Sequence, residues 1–222
     1  MFFKRLREDI AFAKECDPAA RSKFEIFLTY SGVHALSWHR AAAFFYKIRW
    51  KLFARMLSQT AKFFTGIEIH PGAKIASGVF IDHGEGVVIG ETAVVEKRVV
   101  IYQCVTLGGT GKDKTHKRHP TIKEGCIVSS GAKVLGNITV GEFSKIGAGS
   151  VVLKDIPPHA TVVGIPGRVV RINGEKPADL LPCKADPVLE ELCHLRARVD
   201  ELERKLAASQ SGQKRSEEDV KE

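Results

Sequence analysis

The chain has no C-x-x-C pair: its five cysteines, Cys16, Cys104, Cys126, Cys183 and Cys193, are scattered. That spacing excludes a zinc knuckle and a thioredoxin-type motif, and the odd count argues against a disulfide framework, so the reading favours a reducing cytoplasm. Only nine prolines occur in 222 residues, too few for a collagenous or broadly disordered protein. No stretch approaches the roughly 18 apolar residues of a membrane span. The opening MFFKRLREDIAFAKEC interrupts its apolar positions with charge, which predicts an amphipathic helix and not a signal-peptide core. Nor is the charge polarised. Lys and Arg against Asp and Glu number 12 to 5 over residues 1–65, 13 to 9 over 66–174 and 9 to 12 over 175–222, within a net charge of +8. The aromatics fall in helical patterns such as AAAFFYKIRWKLF and are not interleaved with basic residues. These features exclude a typical nucleic-acid binder and leave a modestly basic surface suited to an anionic, phosphate-bearing small molecule.

What is present divides into three textures. Residues 1–65 read as a small helical bundle. Asp17-Pro18 resembles an N-cap followed by proline at the first helical position, Gly32 lies near a break, and Phe24, Phe27, Leu28, Leu36, Phe44, Ile48, Leu52, Met56 and Phe63 mark the apolar faces.

Residues 66–174 carry a period of six. Aliphatic anchors fall at Ile69, Ile75, Ile81 and Val87, resume after a two-residue slip at Ile89, Val95, Ile101 and Leu107, and run again through Ile122, Val128, Val134, Val140, Ile146 and Val152. Small or aliphatic residues often follow four positions later, as at Ala73, Val79, Ala93, Val99, Val105 and Ala132. This pattern predicts a parallel β-helix of triangular coils of about 18 residues with the anchors stacked inside. A β-sandwich would need a period of two, which is absent. One excursion, LGGTGKDKTHKRHPT at 107–121, interrupts the repeat, and such excursions tend to carry function.

Residues 175–222 begin as a linker with Pro177, Pro182 and Pro187. They continue as heptads at Val188, Leu192, Leu195, Val199, Leu202 and Leu206, and end in a polar tail from Ser209. Three heptads are marginal alone, so the reading is a short coiled coil templated by an oligomer.

The residues able to do chemistry lie in Glu68-Ile69-His70-Pro71, Ile81-Asp82-His83-Gly84 and Lys117-Arg118-His119-Pro120. A neutral imidazole beside a carboxylate takes a proton from a hydroxyl near pH 7. His83 follows Asp82 at the slip in the repeat and is placed for that role. Ser130 and Ala148, 18 residues apart, fall on one corner of successive coils, where small side chains leave room for an extended ligand along the helix axis. GGTGK lacks the G-x-x-x-x-G-K-[ST] spacing of a P-loop.

The ordered set DPA, IHPGA, DHG, GETA, TLGGTGK, RHP and PPH, with GIPGR beyond it, closely resembles the serine O-acetyltransferases of the hexapeptide acyltransferase superfamily over roughly residues 15–172. The resemblance implies an α+β chain: an N-terminal helical bundle (1–65), a left-handed parallel β-helix (66–174), and a linker, coiled-coil helix and tail (175–222). It implies trimers with active sites in the clefts between subunits, with pairing of trimers left open. It further implies acetyl transfer from acetyl-CoA to the L-serine hydroxyl, no metal, and inhibition by L-cysteine. His83 would be the general base and Glu68 its partner, where the family more often has Asp. Asp17 and Asp82 would hold the substrate ammonium, Arg118 its carboxylate, and His119 would assist at the hydroxyl or oxyanion. The pantetheine arm of the coenzyme would lie against Ser130 and Ala148, and Gly109 would contact its thioester end, with Lys145 and Pro166-Gly167-Arg168 toward its nucleotide. The chain's terminal Asp219-Val220-Lys221-Glu222 lacks the Ile that such enzymes dock into O-acetylserine sulfhydrylase, so that complex is not expected. Neither nucleic acid nor membrane is an expected partner. Two other readings remain: an acetyltransferase acting on a sugar or xenobiotic, and a zinc hydratase using His83, His116 and His119.

Overall fold

The computed structural model describes residues 2–111, 117–175, 191–192 and 194–205. Four helices come first: α1 (Phe2–Cys16), α2 (Lys23–Thr29), α3 (Ser31–Lys47) and α4 (Lys51–Thr65). The cap expected at Asp17 lies elsewhere. Ser22 caps α2, its hydroxyl accepting from the Glu25 N–H at 3.1 Å. Asp17 instead closes α1, its N–H donating to the Ala13 carbonyl, while its Oδ1 accepts from the Ala19 N–H at 2.8 Å in an Asx turn.

The apolar faces also differ from expectation. Leu36 is buried, but Phe24, Phe27, Leu28, Phe44, Ile48, Leu52, Met56 and Phe63 are between 45% and 83% exposed in the single chain. The residues that α3 and α4 bury are mostly small, Ala35, Ala42, Ala54, Ser58 and Ala61 among them, and small residues let backbones approach closely. Gly32 shows how closely: a Cβ there would lie 2.2 Å from the Ile81 carbonyl oxygen.

From Glu68 the chain winds into a left-handed parallel β-helix. The first coil is β1 (Glu68–Ile69), β2 (Lys74–Ile75) and β3 (Phe80–Ile81); the second is β4 (Val88–Ile89), β5 (Val94–Val95) and β6 (Val100–Ile101). The third is β7 (Thr106–Gly108), β8 (Thr121–Ile122) and β9 (Ile127–Val128), and the fourth β10 (Lys133–Leu135), β11 (Thr139–Val140) and β12 (Lys145–Ile146). After β13 (Val151–Val152), β14 (Ala160–Val163) and the antiparallel β15 (Arg168–Ile172) close the stack. The faces are thus β1-β4-β7-β10-β13 (first), β2-β5-β8-β11 (second) and β3-β6-β9-β12-β14-β15 (third).

Register shows the origin of each irregularity. Val88 pairs with Thr106 and Thr121 with Thr139, eighteen residues on. Glu68 pairs with Val88, twenty on, so the two extra residues at 83–86 bulge the corner after β3. Val94 pairs with Thr121, twenty-seven on, so the 107–121 excursion leaves from the corner between the first and second faces. All the sixfold anchors are buried except Ile75, which is partly buried.

The helices cover the third face. Ile10, Phe12, Ala13, Ile26 and Val33 pack with the outward-pointing Phe80 and Val100 of β3 and β6. A buried ion pair clips this packing: Arg40 lies 2.5 Å from Asp9, whose other oxygen accepts from the Gly78 N–H at 2.8 Å. Residues 191–192 and 194–205 are helical, with Leu192, Leu195, Val199 and Leu202 of the heptad seam exposed; Val188 and Leu206 lie outside the described residues. No helix among the described residues is long and apolar enough to cross a membrane.

Candidate active site

One cluster forms at the corner where the third face turns into the first. β3 ends at Ile81, so Asp82 and His83 enter the bulged corner, and α1 and α2 bring Asp17 and Tyr30 beside them. The Tyr30 hydroxyl donates to Asp17 Oδ2, and its ring stacks on Phe80. The Tyr30 hydroxyl and then the Ala19 amide hold the Asp17 carboxyl below its ordinary range, with His83 near enough to contribute. The same bond pushes the Tyr30 phenol up to about 12. His83 Nε2 lies 3.9 Å from Asp82 Oδ1, and its side chain is largely exposed. The predicted Glu68–His83 bond is not formed. Glu68 is bound to Lys62 Nζ at 2.6 Å, because the last turn of α4 delivers an ammonium, a stronger partner for a carboxylate than a neutral imidazole. Lys62 and His83 line one open cleft of about 730 Å³.

A second cluster forms at the corner between the first and second faces. Glu91 accepts from the Tyr46 hydroxyl and from Arg118 Nη2, both at 2.9 Å. Tyr46 chiefly, with His70 and Arg118, holds the Glu91 carboxyl below its usual range. His119 is only 8% exposed, and burial, then Arg118, lowers its pKa. Its Nδ1 accepts from the Thr92 N–H at 3.2 Å. That ring lies against Gly90, where a Cβ would stand 2.0 Å from His119 Cδ2. The structure therefore brings Asp17, Asp82 and His83 together, and Arg118 with His119. It places the two groups at opposite edges of the first face.

Residues 119–154 match the bacterial transferase hexapeptide family, six repeats. Serine acetyltransferase of Bacillus subtilis (strain 168) is 57% identical over 93% of this chain and 95% of its own length. The chain belongs to the serine acetyltransferase family. Two solved serine acetyltransferase structures share its fold. One, in complex with cysteine, has a TM-score of 0.75 and 40% identity over 77% of this chain and 70% of that one. The other, in complex with CoA, has a TM-score of 0.73 and 40% identity over 76% and 70%.

Within this serine acetyltransferase chain, three of the positions argued for coenzyme, Ser130, Ala148 and Gly109, divide between the same two edges, while Lys145 and Arg168 lie on strands of the third face. Ser130 and Ala148 follow β9 and β12 at the corner that carries His83, and the Gly149 N–H donates to the Ser130 carbonyl one coil below at 2.9 Å. Gly109 sits on the other edge, where a Cβ would lie 3.8 Å from His119 Nε2. Lys145 is exposed on β12, and Arg168 opens β15. His116, Lys112 and Lys114 lie outside the described residues. Sequence reasoning gave no role to Tyr30, Tyr46, Glu91 or Thr92. The GETA motif held the signal for the last two. Nothing local marked the tyrosines, which reach their carboxylates from sites 13 and 45 residues away in the chain.

Proposed function

We propose that the chain transfers the acetyl group of acetyl-CoA to the hydroxyl of L-serine, releasing O-acetylserine and CoA, in a cytoplasmic trimer whose sites lie between subunits. The observation that carries the reading is the division of the site residues between two edges of one face. A three-fold axis facing β1-β4-β7-β10-β13 sets the His83 edge of one chain beside the Arg118–His119 edge of the next.

In that cleft, Asp17 and Asp82 supply negative charge for the serine ammonium, and Tyr30 holds Asp17 ionised and oriented. Arg118 keeps guanidinium nitrogens beyond its bond to Glu91 for a bidentate grip on the serine carboxylate. His83 takes the hydroxyl proton as the serine oxygen attacks the thioester carbonyl, and returns it to the CoA thiolate as the C–S bond breaks. Glu68 would stabilise the imidazolium after exchanging Lys62 for His83. His119, a neutral Nε2–H donor, faces the developing oxyanion. Gly109, Ser130 and Ala148 leave room for the pantetheine arm, with Lys145 and Arg168 toward the nucleotide phosphates.

L-cysteine, one atom different, fits the same ammonium and carboxylate groups, and its thiol, with a reference pKa of roughly 8.5, ion-pairs with an imidazole as the serine hydroxyl cannot. Initial rates of CoA release test the reading. Serine should support turnover, cysteine should inhibit it less as serine rises, and Asp82→Ala should weaken that inhibition. Turnover with a sugar or xenobiotic and none with serine would move the chain to the other acetyltransferase class.

A further inference from the structure

We propose that Thr92 is a positioning residue that fixes His119 in the Nε2–H tautomer and locks the Arg118-His119 segment against the second coil. The Thr92 hydroxyl stands 2.9 Å from His119 Nδ1 and accepts from the backbone N–H groups of Arg118 at 3.0 Å and His119 at 3.1 Å. With two N–H groups occupying its lone pairs, that oxygen has its own hydrogen to give, and Nδ1 is the acceptor in reach. The Thr92 N–H also donates to Nδ1 at 3.2 Å. Nδ1 is thus claimed by two donors. A proton on Nδ1 would face both of them, which disfavours the Nδ1–H tautomer and the imidazolium alike. Gly90 allows the ring to lie flat in this position, and Lys117 Nζ staples the turn by donating to the carbonyls of Thr92 at 2.8 Å and His119 at 2.6 Å.

The consequence is directional. Of the two neutral tautomers, the Nδ1–H form would present a lone pair at Nε2 and could not donate to an oxyanion. The charged and titratable groups around the ring are Arg118 and Lys117 on its own segment, Glu91 at the corner after β4 and His70 at the corner after β1. His70 Nδ1 likewise accepts a backbone N–H, from Gly72 at 3.0 Å. These groups are common to any variant at Thr92, so a change on removing the hydroxyl alone reports on the hydroxyl.

The inference rests on the acetyl-transfer reading only for its kinetic effect; the tautomer is observable without substrate. Imidazole ¹⁵N NMR of the intact protein, with His119 assigned by loss of its signals in His119→Gln, should show an unprotonated Nδ1 and protonated Nε2 at pH 7. Thr92→Val should add the Nδ1–H form and raise the pH at which the ring protonates. It should lower kcat about tenfold or more with little change in KM for serine. Thr92→Ser should restore all three. A wild-type His119 found as the Nδ1–H form or as imidazolium at pH 7 would overturn the proposal whatever the variants do. So would a Thr92→Val spectrum and titration identical to wild type. Wild-type spectra as expected without serine-dependent CoA release would instead count against the proposed function alone.

Discussion

His83 adopts φ 55°, but Arg98, Cys104 and Phe143 take nearly the same angle at other turns of the solenoid. Its left-handed backbone is therefore a property of the coil, and the role proposed for it is supported by its neighbours Asp82 and Asp17 instead. His83→Ala is expected to lower kcat by about 100-fold or more while leaving acetyl-CoA binding nearly intact, and Glu68→Gln to do less damage, since it keeps shape and removes only charge. A His83→Ala enzyme with more than a tenth of wild-type turnover would remove it as the base. A second residue, His39, predicts pH dependence. Buried in α3, it has its pKa lowered to about 4 by desolvation, then by Arg40. A histidine with a depressed folded pKa contributes stability that is full above its unfolded value near 6.5 and is lost as pH falls toward 4. The loss amounts to about 3 kcal/mol by that linkage. Urea unfolding at pH 7 and pH 4.5 should show it, and His39→Gln should flatten the dependence; an unchanged slope would assign the acid sensitivity elsewhere. At this scale the sequence revealed motif residues but not their bonds. Asp17 was visible in DPA, yet its tie to Tyr30 was not, and Thr92 reaches the Arg118-His119 segment across 26 and 27 residues of chain.

The elements were legible in proportion to how far their pattern is set by their own core. In the β-helix every coil stacks on a copy of itself, so the sixfold anchors, the slip before Ile89 and the excursion after Leu107 all translate directly into register. A helix has no such internal template. Which side of α3 and α4 is buried depends on the face it meets, and close approach to β3 and between the two helices selects Gly32, Ala42, Ala54 and Ala61 over the larger aromatics. The Asp9–Arg40 pair was equally hidden, since it joins α1 to α3 and to the turn at Gly78. Removing one member leaves the other buried without its counter-charge. Asp9→Ala is therefore expected to destabilise the fold by about 3–5 kcal/mol in urea unfolding, well beyond an exposed pair such as Arg21–Glu25. A loss under about 1 kcal/mol would show that water reaches Arg40.

For the whole molecule, a single chain presents the His83 and Arg118–His119 clusters on opposite edges of the first face and a C-terminal helix whose described seam residues are exposed. The proposed trimer would join the two clusters and cover that seam, and light scattering should then give about 73 kDa, three times 24.4, or a multiple of it. Composition and motifs pointed to the reaction class, but the partition of the site required knowing which corner each motif occupies. The most direct test is complementation between two inactive variants, His83→Ala and Arg118→Ala, co-expressed with different tags and purified as mixed oligomers. If each site takes His83 from one chain and Arg118 from the next, every trimer that mixes the two variants has one of its three sites, about a third, with both residues intact. Serine-dependent CoA release should return to about that fraction of wild type. If the site lies within one chain, no mixed oligomer contains an intact one. Activity no higher than that of the separate variants would contradict the account.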